Sequence, residues 1–268
     1  MKKIITLLMT MLLAVTCCFG LTACNNPEEK TLYVYTNAGF PPYEYLGVDG
    51  KVIGVDIDVV NKIGEELGYN VVINDIDFEQ ILNEVANNKF AIGAAGMTKK
   101  PDRDLVATAS ISYATSVQYV IVPAGTFDDA DLVGGKLSVA KLAEISINGI
   151  GVQSGTTGSF LVGDAIDLED GDLYGTGKTM IEYKDAIIAS QDIGSTVGAV
   201  VIDKLPAQQI ANADEDLECF ELDAEPESYV LYLNKEATEL LAQVNQVLQE
   251  MIDEGIIDQY TINHSSGK

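Results

Sequence analysis

Ala91-Ile92-Gly93-Ala94-Ala95-Gly96-Met97-Thr98-Lys99-Lys100-Pro101-Asp102-Arg103 is an apolar run that opens into a glycine turn and then a proline-led polar stretch. Ala91 to Ala94 reads as a strand running into Gly96-Met97-Thr98, and Arg103 falls just past the strand–helix turn that follows. Before it, Phe78, Ile81, Leu82 and Val85 recur at helical spacing, and Val71 to Ile73 is a strand. Val55, Val59, Val60, Ile63 and Leu67 form an earlier helical stripe, ended by Gly68, and Leu32 to Tyr35 opens the series as a strand. Beyond Arg103, strands are expected at Tyr119 to Val122, Ala199 to Ile202 and Tyr229 to Leu233. Leu240, Leu241, Val244, Val247, Leu248, Met251 and Ile252 then form a long helical stripe closed by Gly255. Leu132 to Gly151 follows neither period and is expected to be loop with a weak strand. Alternation of this kind predicts layered α/β units.

Of 268 residues, 41 are Asp or Glu and 16 are Lys or Arg, a formal charge of -25. Such a field repels phosphate backbones, which argues against a nucleic-acid partner. The apolar share of 47% argues against disorder. His264 is the single histidine, so His-based metal sites and Ser-His-Asp chemistry are disfavoured. Arg103 is the single arginine beside 15 lysines.

Met1-Lys2-Lys3 is a short cationic start, Ile4 to Phe19 is mostly apolar, and Leu21-Thr22-Ala23-Cys24 ends the run. The run is short for a membrane span and has the layout of a signal peptide. Its end resembles the lipobox of bacterial lipoproteins, which implies a signal peptide at 1–23, a lipidated Cys24 and a tether over 24–28. The bland alternative is an uncleaved anchor with an incidental cysteine. Cleavage would remove Cys17 and Cys18 and leave Cys219 as the only other thiol. Any intramolecular disulfide would then have to use Cys24, so stability is expected from the core.

Five segments follow in order. They are Thr36-Asn37-Ala38-Gly39-Phe40-Pro41-Pro42-Tyr43-Glu44-Tyr45, Gly54-Val55-Asp56-Ile57-Asp58, and Gly96-Met97-Thr98 with Pro101-Asp102-Arg103. Then come Gly151-Val152-Gln153-Ser154-Gly155-Thr156-Thr157-Gly158 and Val200-Val201-Ile202-Asp203-Lys204-Leu205-Pro206-Ala207. Together they resemble the bacterial extracellular solute-binding proteins of family 3, receptors of polar amino-acid ABC transporters. The resemblance implies an α/β, two-lobed, type II periplasmic-binding-protein-like fold whose lobes are joined by two hinge strands. Lobe one would comprise 29–115 plus 229–268, and lobe two 116–228. The implied partners are a free amino acid in the inter-lobe cleft and a membrane-embedded permease with its ATPase. The chain itself would be a monomer on the outer face of the cell membrane, anchored only by its lipid, with no cofactor or metal.

A free amino acid presents a carboxylate, an ammonium and a side chain. A guanidinium fork suits the carboxylate, and Arg103 is the only one. Thr98 Oγ and backbone N–H groups near Gly96 and Thr98 would complete that site. Thr156 and Thr157 sit in a turn before a helix, where free N–H groups suit an anion; an ordinary N-cap is the other reading. Asp203 ends an apolar strand, and the family gives this position the α-ammonium, whereas the bland reading is a helix N-cap. Glu44 and Asp56 are family signature acids expected to hold structure. Phe40 resembles the aromatic that stacks on ligand, and Phe78 the second wall, with a core role for Phe78 equally open. Asn37 occupies a place where several receptors of basic amino acids and of glutamine carry Asp. A neutral amide does not offset a buried cation, so neutral or polar amino acids are the expected class.

The chain departs from the family at Ala107 to Tyr113, which lacks the usual Asp, Phe and Pro, and at Gly198-Ala199. Lys136 to Ile150 is longer than the usual link. Two other functions fit the same fold. One is an enzyme resembling cyclohexadienyl dehydratases, with a cleft carboxylate as general acid. The other is a ligand-sensing lipoprotein without transport. The absence of an output domain after the last helical stripe favours transport.

Overall fold

The computed structural model describes residues 30–266; the expected signal peptide and tether, Cys24 included, lie outside them. Strand β1 (Lys30–Thr36) buries Leu32, Val34 and Thr36 on one face. The hairpin β2 (Tyr45–Leu46) and β3 (Val52–Ile53) turns the chain into α1 (Val55–Leu67). Helix α1 buries Val55, Val59, Val60 and Ile63, as its spacing requires. Asp56 and Asp58 complement the positive end of its dipole, and Gly68 closes it in the left-handed region. Strand β4 (Tyr69–Asp75) follows. The expected helix at Phe78 begins as a 3-10 turn, Phe78–Gln80, and α2 proper is Ile81–Asn87. Then come β5 (Ala91–Gly93), α3 (Pro101–Asp104), β6 (Thr108–Ala109), β7 (Ala114–Ser116) and β8 (Gln118–Pro123).

The stretch 132–151 is more ordered than its pattern suggests. β9 (Leu132–Val133) and β10 (Lys136–Leu137) pair as a hairpin, and a 3-10 turn covers Val139–Glu144. Leu137, Val139 and Leu142 are buried in the second core. The stretch ends in β11 (Gly149–Gln153), a fully buried strand inside a sheet. Glycine hides this strand from a hydrophobic count. At Gly149 a Cβ would lie 2.5 Å from the Thr196 carbonyl oxygen, so only glycine fits.

After β11 come α4 (Thr157–Asp167), β12 (Thr179–Tyr183), α5 (Ala186–Gln191), β13 (Ala199–Asp203), α6 (Lys204–Ala213) and β14 (Leu217–Glu221). The single strand expected over Tyr229 to Leu233 is two: β15 (Glu227–Tyr229) and β16 (Tyr232–Leu233). The break has a cause in pairing. β15 pairs with β7, whereas β16 pairs with β5 and β6. Helix α7 (Thr238–Asp253) buries Leu240, Val244, Val247, Leu248 and Met251. A further helix, α8 (Ile256–Ser265), was not expected; Ile257 is its one buried residue, too few to mark a period.

Two five-stranded mixed sheets result, in the orders β4-β1-β5-β16-β6 and β12-β11-β13-β8-β14. β1 and β5 are parallel, as are β12, β11 and β13; β8 runs antiparallel to β13 and β14. The two-stranded pair β7–β15 carries the chain from the first sheet to the second and back. The expected lobe boundaries fall within this pair.

Candidate functional site

A narrow cavity is lined by residues from the elements of both sheets. Asn37, Phe40, Phe78, Gly96, Thr98 and Arg103 line it from the first sheet's elements. Thr156, Thr157 and Asp203 line it from the second's. All the residues expected at a site are thus brought together. Glu44, Ala95 and Gln153 join them.

Arg103 sits on α3, one turn long, started by Pro101 at its first position. Its guanidinium is buried, lies 5.3 Å from the centre of the Phe78 ring, and donates from Nη1 to the Thr98 carbonyl (2.9 Å). Nη2 donates to the Gly155 carbonyl across the cavity (3.1 Å). Phe78 therefore serves both readings, since it lines the cavity and packs against the buried cluster of Ile81 and Met97.

Gly96 departs from expectation. Its N–H donates to Asp56 Oδ2 (2.9 Å), so it is committed inside the protein and not free for a carboxylate. Its role is steric: φ is +53°, and a Cβ there would lie 2.6 Å from the Phe40 ring. Phe40 packs against this bare backbone and against Tyr43 (centroids 5.8 Å apart). Asp56 also accepts from Tyr113 Oη (2.6 Å), and its burial pushes its carboxyl up to about 6. It holds structure, as expected.

Thr156 is the N-cap of α4. Its hydroxyl accepts from the Ser159 N–H (3.2 Å) and donates to the Gln153 carbonyl (2.7 Å). The N–H groups of Thr157 and Gly158, at the start of the helix, have no intrahelical partner. Thr98 differs from expectation in its hydroxyl, which donates to Glu227 Oε2, as does the hydroxyl of Thr157 (2.8 Å).

Asp203 occupies the N-cap position of α6 but makes no capping bond. Its Oδ1 accepts from Tyr229 Oη instead (2.7 Å), and the side chain lines the cavity. Burial, and then the charge of Glu227, push its carboxyl up to about 7. Asn37 bridges the sheets, accepting from Gln153 Nε2 (2.8 Å) while donating to the Ile76 carbonyl (2.8 Å).

Glu44 lines the cavity although it was expected only to hold structure. It is 1% exposed, and its Oε2 is one of three buried side-chain polar atoms without a hydrogen-bond partner among the described residues. Burial, then Asp56 and Asp203, raise its carboxyl well above the usual range. Gln153 and Glu227 were missed altogether. Gln153 lay inside a quoted segment, but nothing in a buried strand marks which residue faces a cavity.

A family model described as bacterial extracellular solute-binding proteins, family 3, matches residues 32–264. The chain belongs to this family. The arginine-binding extracellular protein ArtP of Bacillus subtilis is 23% identical over 259 residues, covering 92% of this chain and 94% of its own. An ancestral arginine-binding protein has been solved bound to arginine and bound to glutamine. Each structure superposes with a TM-score of 0.74 at 26% identity, covering 87% of this chain and 97% of the other. Cyclohexadienyl dehydratase of Pseudomonas aeruginosa matches over 86 residues at 27% identity, 32% of each chain. The fold is that of a type II periplasmic-binding protein, and the relatives that span the chain are transport receptors rather than enzymes. As a family 3 member it is an extracytoplasmic, membrane-associated receptor that delivers a free amino acid to an ABC permease and its ATPase.

Proposed function

We propose that this receptor binds a free L-amino acid with hydrogen-bond donors on its side chain, arginine foremost. Arg103 takes the α-carboxylate, assisted by N–H groups at the start of α4. Asp203 takes the α-ammonium. The observation that carries the choice of side chain is Glu44, a buried carboxyl whose Oε2 has no partner and which lines the same cavity. A guanidinium there would supply both donors and the opposite charge. Glu44, whose carboxyl is raised by burial and then by Asp56 and Asp203, would ionise beside a guanidinium and so offer the charge that Asn37 lacks. Phe40 and Phe78 form the apolar walls. The relatives named for arginine support this reading; glutamine, which an ancestral relative also holds, is the second one.

We also infer that Cys24 carries the lipid, that the chain is a monomer, and that the lobes hinge at β7 and β15, the pair that links the two sheets. Labelled palmitate should enter the wild-type protein and not Cys24→Ser, and a sizing column should give one chain per particle. The function itself is tested with a thermal-shift panel of L-amino acids. Arginine should raise Tm most. No shift with any amino acid, and none bound by mass spectrometry, would overturn the reading.

A further inference from the structure

Glu227 belongs to no segment expected at the site, yet its carboxylate joins three parts of the molecule. It lies on β15, opposite Ser116 of β7, and is buried. Oε2 accepts from Thr98 Oγ1 of the first lobe and from Thr157 Oγ1 of the second (2.8 Å). Oε1 accepts from Gln118 Nε2 (2.7 Å), which also reaches Thr157 Oγ1 (3.3 Å). Thr98 and Thr157 both line the ligand cavity.

A threonine hydroxyl has one proton and two lone pairs. When a carboxylate takes that proton, the oxygen is left only to accept. We propose that Glu227 is a positioning residue of the ligand site, one that holds the hydroxyl protons of Thr98 and Thr157. Those hydroxyls then meet a ligand only as acceptors. A bound α-carboxylate is left to Arg103 and backbone N–H groups, and the two oxygens favour a donor such as an ammonium. The inference rests on the amino-acid receptor reading and deepens it, because it names a group that, beside Asp203, makes the site select a zwitterion over a simple acid.

The test is a pair of double-mutant cycles on the full chain, with L-arginine as probe, or the best amino acid of the panel if arginine does not bind. In ligand-free protein, Thr157→Val and Glu227→Ala should lower Tm non-additively, since the two changes share the Thr157–Glu227 bond. In binding, Thr157→Val should cost about tenfold more affinity in the Glu227→Ala background than in wild type, because the freed hydroxyl then donates to the ligand carboxylate. Glu227→Gln separates charge from hydrogen bonding. Its amide oxygen still accepts both hydroxyls, and its NH2 can meet Gln118 Oε1, which lacks a partner. The Thr157→Val step should therefore match wild type in Glu227→Gln. Glu227→Leu replaces the alanine variant if that does not fold. Additive Tm shifts, an equal Thr157→Val step in all backgrounds, or a Glu227→Gln result like that of Glu227→Ala would overturn the role of Glu227 alone. No amino-acid binding by wild type would overturn the receptor reading, and this role with it.

Discussion

Arg103 and Asp203 are buried opposite charges that line one cavity without pairing with each other. Arg103 bonds two carbonyls and Asp203 a phenol, so each keeps capacity for a charged ligand group. Arg103→Ala should abolish amino-acid binding in calorimetry, and Asp203→Ala should weaken amino acids far more than their deaminated analogues. Glu44→Gln should lower affinity for arginine by about tenfold or more while leaving glutamine nearly untouched, a ratio read by competition.

Asp203 also predicts a pH dependence. Its folded carboxyl is raised to about 7 and that of Asp56 to about 6, both first by burial. Raised acids bind extra protons in the folded state, so their stabilising contribution is present below the unfolded value and is lost as pH rises through about 6 to 7. Asp49 and Asp131, lowered by Lys51 and Lys141, act oppositely, but they are solvent-screened. Tm of the ligand-free protein should therefore fall between pH 5 and pH 8. An incoming ammonium favours the ionised Asp203. Binding at pH 6 should release a proton, seen as a calorimetric heat that varies with buffer ionisation, and affinity should drop below pH 7 by up to about tenfold per unit.

At the level of elements, the site depends on three chain turns. The turn after β5 brings Gly96 against Phe40, and Gly96→Val should displace the ring and cost about 1–3 kcal/mol in denaturant unfolding, with loss of binding. The start of α4 relies on Thr156 as its cap; Thr156→Ala should cost about 1 kcal/mol and loosen the N–H groups of the second lobe. The end of β13 aims Asp203 inward because its side chain bonds Tyr229 rather than capping α6. The helical stripes of α1 and α7 were legible because each has five or more apolar residues in period. The strand β11 and helix α8 were not, since one is rich in glycine and the other buries a single residue.

For the whole molecule, Arg103–Gly155 and Gln153–Asn37 are bonds between the lobes that a ligand would displace or join. Ligand held by both lobes should stabilise the protein by about 2.7 kcal/mol at a hundredfold excess over Kd. Small-angle scattering should show no expansion on adding arginine; an increase in radius would contradict closure around the ligand.

The family, the two-sheet fold and much of the cavity's lining were legible in the sequence, but Gln153 and the cavity-facing role of Glu44 were not. The legible parts rest on contiguous motifs, in which local spacing alone places Arg103, Thr157 or Asp203 at the end of a strand or the start of a helix. Only the tertiary structure decided which of those groups remain free. Glu227 meets Thr98 across 129 residues and Thr157 across 70, and so takes the hydroxyl proton of Thr157 and that of Thr98, the one expected for a ligand. Gly96 gives its N–H to Asp56, 40 residues away, and Glu44 turns an unpartnered oxygen into a buried site. Hydrogen bonds saturate: a donor spent on a distant partner is lost to the ligand, and no local pattern records where that partner lies.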